Sequence, residues 1–170
     1  MFPGRIRNPA LVEEGLPSLL QAMAEAEINT PRRVAALLAT LDAESWFEYN
    51  VLQGGSNLPG YIDKGYTGRG YIQLTGSVNY TEAGKHLGID LVNHPELAQS
   101  LQYSAQIVKW YWTVARKINP LADALQMGKV NRAIGYPVGD GKADARRCAS
   151  FARCLEYLTG EVPAGITCTR

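Results

Sequence analysis

Helical spacing of apolar residues is the feature that most limits how this chain can fold. Stripes with that period recur near residues 16–24, 30–44, 79–87, 95–114, 121–127 and 145–155. Thr30 followed by Pro31 is typical of a helix N-cap with proline at the first helical position, and Gly88 and Gly160 are typical helix ends. A helix beginning near residue 16 would carry Pro17 in its first turn. The pattern therefore predicts a mainly α fold.

A glycine-rich segment over residues 53–80 interrupts the helical pattern. Seven glycines alternate there with tyrosines and hydrogen-bonding side chains. Glycine clusters of this kind favour loops and short extended pieces, and residues 71–74 are the likeliest strand. The expected fold class is a helical domain with a glycine-rich central loop and at most a short β element.

Composition and charge exclude several classes of protein. The chain has 170 residues, 46% apolar and 19% charged, which predicts one soluble globular domain over residues 1–170. The net charge of +1 argues against a nucleic-acid binder, including a helix-turn-helix built on residues 30–33. No apolar run approaches the roughly 18 residues of a membrane span. The first residues lack the apolar segment of a secretory signal, so we expect synthesis in the cytoplasm.

The three cysteines, Cys148, Cys154 and Cys168, include no CxxC pair. An odd number without such a pair favours reduced thiols over a disulfide framework or a zinc site. Cys148 and Cys154 fall in one predicted helix and would point to different faces, so they are not expected to pair.

Glu44 is the first candidate for chemistry. It follows Leu37 and Leu41 at the spacing i, i+4, i+7, which places it on the buried face of the second helix. A carboxyl group among apolar neighbours favours its neutral form, and glycosidases use a neutral carboxylic acid to protonate a leaving oxygen. The alternative is an exposed helix end, where Asp42 and Glu48 would join Glu44 in a solvated acidic patch.

The central segment supplies candidate binding residues. Gln73, Thr75 and Asn79 carry donors and acceptors that suit sugar hydroxyls and N-acetyl groups. Tyr71 offers a flat apolar face, and Arg69 could orient a carboxylate. The segment lacks the lysine of a phosphate-binding loop. The alternative is a tight turn whose tyrosines pack on the core.

Three strings of the sequence resemble glycoside hydrolase family 19, which contains chitinases and many phage endolysins. They read AESWFEYN, GYTGRGYIQLTGSVNY and HPELAQSLQYSAQIVKWYW. The resemblance extends from about residue 30 to residue 160. It implies a lysozyme-like, mainly α fold. It also implies inverting cleavage of β-1,4 bonds next to N-acetylated sugars, without a metal or other cofactor.

The same resemblance implies roles for individual residues. Glu44 takes the position of the general acid, and Thr75 that of the hydroxyl that helps to hold the attacking water. Gln73 and Asn79 match positions that contact the substrate. Asn131, in the string VNRAIG, matches a further asparagine on the substrate side.

The general base departs from the family's pattern. Compact members of the family carry the general base about nine residues after the acid. In this chain that position holds Gln53, whose amide cannot accept a proton from water. Arg147 matches an arginine that lies near the catalytic carboxylates of the family. The base could come from Asp63 or Glu48, the alignment could slip here, or the chain could be a base-deficient variant. In a continuing helix Glu48 would lie about 5–6 Å from Glu44 on the same face, which favours Asp63 slightly.

These observations predict an endolysin-type glycosidase that acts on bacterial peptidoglycan. A chitinase and an inactive sugar- or wall-binding module are the alternatives. We expect a monomer without nucleic-acid partners or membrane insertion, made in the cytoplasm of a host bacterium and acting on its wall. The chain could also be a catalytic domain excised from a longer endolysin.

Overall fold

Helices make up most of the protein, which confirms the predicted fold class. The computed structural model describes residue 2 and residues 4–54, 64–135 and 141–170. Within these ranges lie α1 (Pro9–Glu25), α2 (Pro31–Glu44), α3 (Ser77–Leu87), α4 (Ser104–Trp110), α5 (Asn119–Asp123), α6 (Met127–Ala133) and α7 (Gly141–Thr159). Lys64–Tyr66 and Pro95–Gln99 are 3-10 turns, and α4 continues into a π-helical turn, Tyr111–Ala115. None of the helices described is both long and apolar enough to cross a membrane.

Side-chain caps fix where the first two helices begin. The Thr30 hydroxyl accepts a hydrogen bond from the Arg33 backbone N–H at 3.3 Å, which confirms the predicted start of α2. Asn8 caps α1 in the same way, so this helix begins earlier than the apolar stripe indicated. Pro17 therefore lies inside α1 rather than in its first turn. Gly88 adopts a left-handed conformation and ends α3 as predicted.

The core forms around α2, which packs along α7 while α1 packs against α4. Ala35, Leu37 and Leu41 of α2 are completely buried. Short alanine side chains let the neighbouring helix approach closely, so α2 is covered along most of its length. Glu44, the last residue of α2, is consequently largely covered by the neighbouring helices.

The strand predicted at residues 71–74 is wrong. Isolated β-bridges join Leu52 to Arg69 and Arg69 to Leu74, and the residues between Arg69 and Leu74 form a turn. Gly70 makes this turn possible because its φ is +73°, and a Cβ there would lie 2.3 Å from the Ala98 carbonyl oxygen. A glycine that reverses the chain interrupts the extended run that the residue types favour.

The prediction of three reduced cysteines is also wrong. Cys148 on α7 forms a disulfide with Cys168, and only Cys154 is free. After α7 the chain turns back along α6, where the Thr167 N–H donates to the Leu125 carbonyl oxygen and the Gly128 N–H donates to the Thr167 carbonyl oxygen. This return brings Cys168 beside α7, and spacing along one helix could not reveal it.

Candidate active site

Glu44 ends α2 and forms an ion pair with Arg147 of α7. The Arg147 Nη2 atom donates to Glu44 Oε1 at 2.7 Å, and the two side chains are 3% and 15% exposed, respectively. A buried carboxylate requires such a partner because desolvation otherwise makes its charge costly. The inward orientation predicted from helical spacing is correct, and the solvated acidic patch is not formed. Asp42 is buried and paired with Arg5.

The backbone just after Glu44 is strained. Trp46 and Phe47 have φ values of 51° and 67°, a left-handed conformation that side chains other than glycine rarely adopt. Phe47 is held by packing against Phe2, with ring centroids 4.8 Å apart. The Arg7 guanidinium lies over the Trp46 ring. Strain of this kind persists only where the surrounding structure enforces it, and it is common at functional sites.

Glu48 lies beyond the end of α2, so the helical geometry that disfavoured it as a base does not apply. One carboxylate oxygen of Glu48 is buried without a hydrogen-bond partner in the described structure. Asp63, the other candidate, lies outside the described residues. Glu48 therefore remains a candidate for the general base.

Three side-chain oxygens meet at the open face of Gly68. A Cβ atom at this glycine would lie 2.8 Å from Gln73 Oε1, 3.0 Å from Gln53 Oε1 and 3.2 Å from Thr75 Oγ1. Gln53 Oε1 accepts a hydrogen bond from the Gly68 N–H, and the Gln53 N–H donates to the Gly68 carbonyl oxygen at 2.7 Å. This oxygen cluster, made of the three side chains at Gly68, provides acceptors that could hold a water molecule.

The oxygen cluster is anchored by its own segment. Gln73 Nε2 donates to the Gly70 carbonyl oxygen at 2.9 Å, which turns Gln73 Oε1 toward Gly68. The Thr75 hydroxyl donates to the Gln73 carbonyl oxygen, and Asn79 Nδ2 donates to the Thr75 carbonyl oxygen, both at 2.8 Å. Gln73 has a φ of 52°, so it too is held in a left-handed conformation. Hydrogen bonds thus link Gln73, Thr75 and Asn79, and Gln53 reaches the same place through its bonds to Gly68.

Two predicted binding residues serve the fold instead. Tyr71 is 1% exposed and its hydroxyl lies against Gly15 of α1, so its ring is not available to a sugar. Burial raises the pKa of this phenol well above its usual range. Arg69 donates to the Gly65 and Thr67 carbonyl oxygens and to the Tyr80 hydroxyl. Of the described carboxylates it pairs with none, so it secures the loop rather than an acid.

Asn131 lies on α6 and is completely buried, yet neither polar atom of its amide has a hydrogen-bond partner in the parts of the chain that are described. An unsatisfied buried amide costs about 1–3 kcal/mol for each lost hydrogen bond. Such a group is consistent with a ligand or water that completes its hydrogen bonds. No group of three or more His, Cys, Asp or Glu among residues 4–54, 64–135 and 141–170 could hold a metal ion.

Sequence reasoning missed Arg116 as a member of this site. Its Nη2 atom donates to Asn79 Oδ1 at 3.3 Å, while its Nε donates to the Tyr111 hydroxyl. Asn79 is thus oriented from both ends, by Thr75 and by Arg116. Because the two residues are 37 positions apart, no local pattern signals the contact.

Comparison with known proteins identifies the family. The family model described as chitinase class I, of glycoside hydrolase family 19, matches residues 42–162. The chain belongs to this family. A chitinase of Oryza sativa is 32% identical over 113 residues, and an endochitinase of Arabidopsis thaliana is 31% identical over 135 residues. These matches cover 66% and 74% of this chain but only 36% and 45% of the two relatives, so the chain spans less than half of their length.

Solved structures of family members share the fold. A bacterial family 19 chitinase superposes with a TM-score of 0.76 at 28% identity, covering 96% of this chain and 94% of that one. Chitinase C of Streptomyces griseus superposes with a TM-score of 0.73 at 24% identity, covering 97% and 76%. The resemblance seen in the three sequence strings is thereby confirmed at the level of family and fold.

Gly68→Ala is expected to disrupt the oxygen cluster. The new methyl group would meet three oxygens at 2.8–3.2 Å, so Gln53, Gln73 or Thr75 must move. Displacing groups that position reactants by a fraction of an ångström lowers turnover roughly tenfold or more. The matched control is Gly54→Ala in the same segment, whose methyl group would meet no atom of the described residues within 4 Å. Equal glycan-cleavage rates for the two variants would show that the cluster has no part in the reaction.

Proposed function

We propose that this family 19 protein hydrolyses the β-1,4 bonds of peptidoglycan glycan strands, as an endolysin-type glycosidase. The Glu44–Arg147 pair is the observation that carries the proposal. It places a largely buried carboxyl group at the end of α2, at the position where the resemblance to the family implies the general acid. We expect the protein to be monomeric and to reach the wall of the host bacterium from the cytoplasm.

The proposed reaction inverts the anomeric centre. Glu44 in its protonated form donates its proton to the glycosidic oxygen as the bond to the anomeric carbon breaks, and the carboxylate that remains is the form paired with Arg147. A water molecule held by Thr75 and its neighbours in the oxygen cluster attacks that carbon from the opposite face and gives up a proton. Glu48 or Asp63 would accept this proton, because the amide of Gln53 cannot. Asn79 and Asn131 would orient the N-acetylated sugar.

Chitin hydrolysis is the second candidate function. The matched relatives from rice, Arabidopsis and bacteria are named as chitinases, and the three proteins share this chain's family. A base-deficient wall-binding form is the third candidate, and Gln53 is the residue that favours it. The three candidates differ in which polymer, if any, gains new reducing ends.

Release of reducing ends decides among these functions. Purified peptidoglycan and chitin oligomers are incubated separately with the wild-type chain and with Gln53→Glu. We expect wild type to cut peptidoglycan and Gln53→Glu to cut it at a similar rate, because Glu48 or Asp63 already accepts the proton. A gain of roughly 10²-fold, the scale of a placed general base, would show that wild type lacks one. Activity of the variant alone would identify a base-deficient form. Cleavage of chitin without cleavage of peptidoglycan would replace the proposed substrate with chitin.

The two candidate bases are separated by Glu48→Gln and Asp63→Asn in the wild-type background. If one variant no longer cuts peptidoglycan while the other still gives the inverted product, the base is the residue changed in the inactive variant. Unchanged rates in both would exclude Glu48 and Asp63 as the base and overturn this part of the mechanism.

A further inference from the structure

A cavity rich in arginine lies next to the candidate active site. It has a volume of about 490 Å³ and opens between α7, the end of α2 and the N-terminal segment. We call it the arginine cavity. The guanidinium groups that line it belong to Arg5, Arg7, Arg146, Arg147 and Arg153.

Among the described residues, carboxylates pair with two of the five arginines of the cavity, Arg5 and Arg147. Asp42 is the one carboxylate in the described lining, and it is already used: Arg5 Nε donates to it at 2.6 Å and the Ser150 hydroxyl at 3.1 Å. Arg7 faces the Trp46 ring rather than an acid. Arg146 is exposed, and no described carboxylate lies within ion-pair distance of it. A chain with a net charge of only +1 thus gathers cations at one place.

The arginine cavity lies directly beside the candidate acid, Glu44. Arg147 is 3% exposed, lines the cavity and donates to Glu44. Ala43 and Trp46, which flank Glu44 along the chain, also line the cavity. The left-handed backbone at Trp46 presents this indole under Arg7. A group bound in the cavity would therefore sit close to the sugar on which Glu44 acts.

We propose that the arginine cavity binds the carboxylates of the peptides that branch from the glycan strand. The inference rests on the proposed function and names what selects peptidoglycan over chitin. Chitin is uncharged, whereas peptidoglycan stem peptides carry free carboxylates next to the glycan. Guanidinium groups bind carboxylates through paired, charge-assisted hydrogen bonds, and the half-buried Trp46 in the lining gives the peptide an apolar contact.

Charge reversal at Arg146 tests this assignment. Rates of glycan cleavage are measured for wild type, Arg146→Glu, Arg146→Lys and the control Lys85→Glu, which reverses an exposed cation on α3 outside the cavity. The substrates are peptidoglycan strands with their peptides and the same strands after the peptide carboxylates have been converted to amides. We divide the rate on untreated strands by the rate on treated strands. We expect Arg146→Glu to lower this ratio by roughly fivefold, in line with loss of a partly exposed ion pair. Arg146→Lys should retain most of the ratio, and Lys85→Glu all of it.

The outcomes separate the two proposals. A wild-type chain that cuts neither type of strand overturns the proposed function. A wild-type chain that cuts both at the same rate, or an equal fall in ratio for Arg146→Glu and Lys85→Glu, overturns only the cavity assignment. A synthetic stem peptide should also shift the NMR signal of the Trp46 indole. The assignment is overturned as well if the peptide with its carboxylates amidated shifts that signal equally, or if inorganic phosphate displaces the free peptide completely at equal concentration.

Discussion

Glu44→Gln should lower the rate of glycan hydrolysis by at least about a hundredfold, the scale of one general acid, while the protein stays folded. The amide has nearly the shape of the carboxyl group but cannot protonate a leaving oxygen. Its Oε1 atom can still accept the hydrogen bond from Arg147, which now joins the two groups at 2.7 Å. The buried guanidinium therefore keeps a hydrogen-bond acceptor but loses its counter-charge. We expect the variant to unfold at a lower temperature than wild type and to remain folded at the assay temperature.

New reducing ends from the cleaved polymer measure this prediction, with circular dichroism melting as the check on folding. Glu82→Gln on α3 is the matched control, because Glu82 is exposed and its change removes the same charge. A Glu44→Gln variant that cuts at the wild-type rate would refute the role of Glu44. A variant that is inactive because it has unfolded would be recognised by its melting curve, and Glu44→Asp would then test the role with the charge retained.

Loss of the disulfide between Cys148 and Cys168 is expected to have the largest effect on stability. The bond closes a loop with a sequence separation of 20, and a loop of this size is worth about 3 kcal/mol of unfolding free energy. It also tethers the C-terminal tail, whose backbone bonds to Leu125 and Gly128 at the start of α6. Cys168→Ser should therefore unfold at lower urea concentration than wild type.

The remaining thiol provides an internal control for this experiment. Cys154 is buried, and desolvation, with a smaller contribution from Asp42, raises the pKa of its thiol to about 12. A thiol reagent should consequently label no cysteine in the native protein and one after denaturation without reductant. Labelling of three cysteines in the denatured, unreduced protein, or equal urea midpoints for wild type and Cys168→Ser, would contradict the prediction.

The spans of α2 and α3 and the inward face of Glu44 were accessible from sequence because their causes are local. The Thr30–Pro31 pair sets the start of α2, and the period of its apolar residues then directs Glu44 inward. The string around Gly68 is specific enough to indicate the family, which the match over residues 42–162 confirms. The prediction of a strand at residues 71–74 was wrong because residue preference does not account for the chain reversal at Gly70. Glycine is required there because a Cβ would clash with the carbonyl oxygen of Ala98, 28 positions away.

Contacts between distant segments were decided by the tertiary structure alone. Arg147 reaches Glu44 across 103 residues, and Gln53 meets Gly68 because the two chain segments pair there. Tyr71 has the composition of a sugar-binding residue, yet packing against α1 turns it into the core. The sequence by itself determined the mainly helical fold class, the family and the inward face of Glu44, since each depends on residues close together along the chain. Only the tertiary structure decided the partner of Glu44, the disulfide and the arginine cavity. Each of these needs side chains that are distant in sequence, and the packing of the helices brings them together.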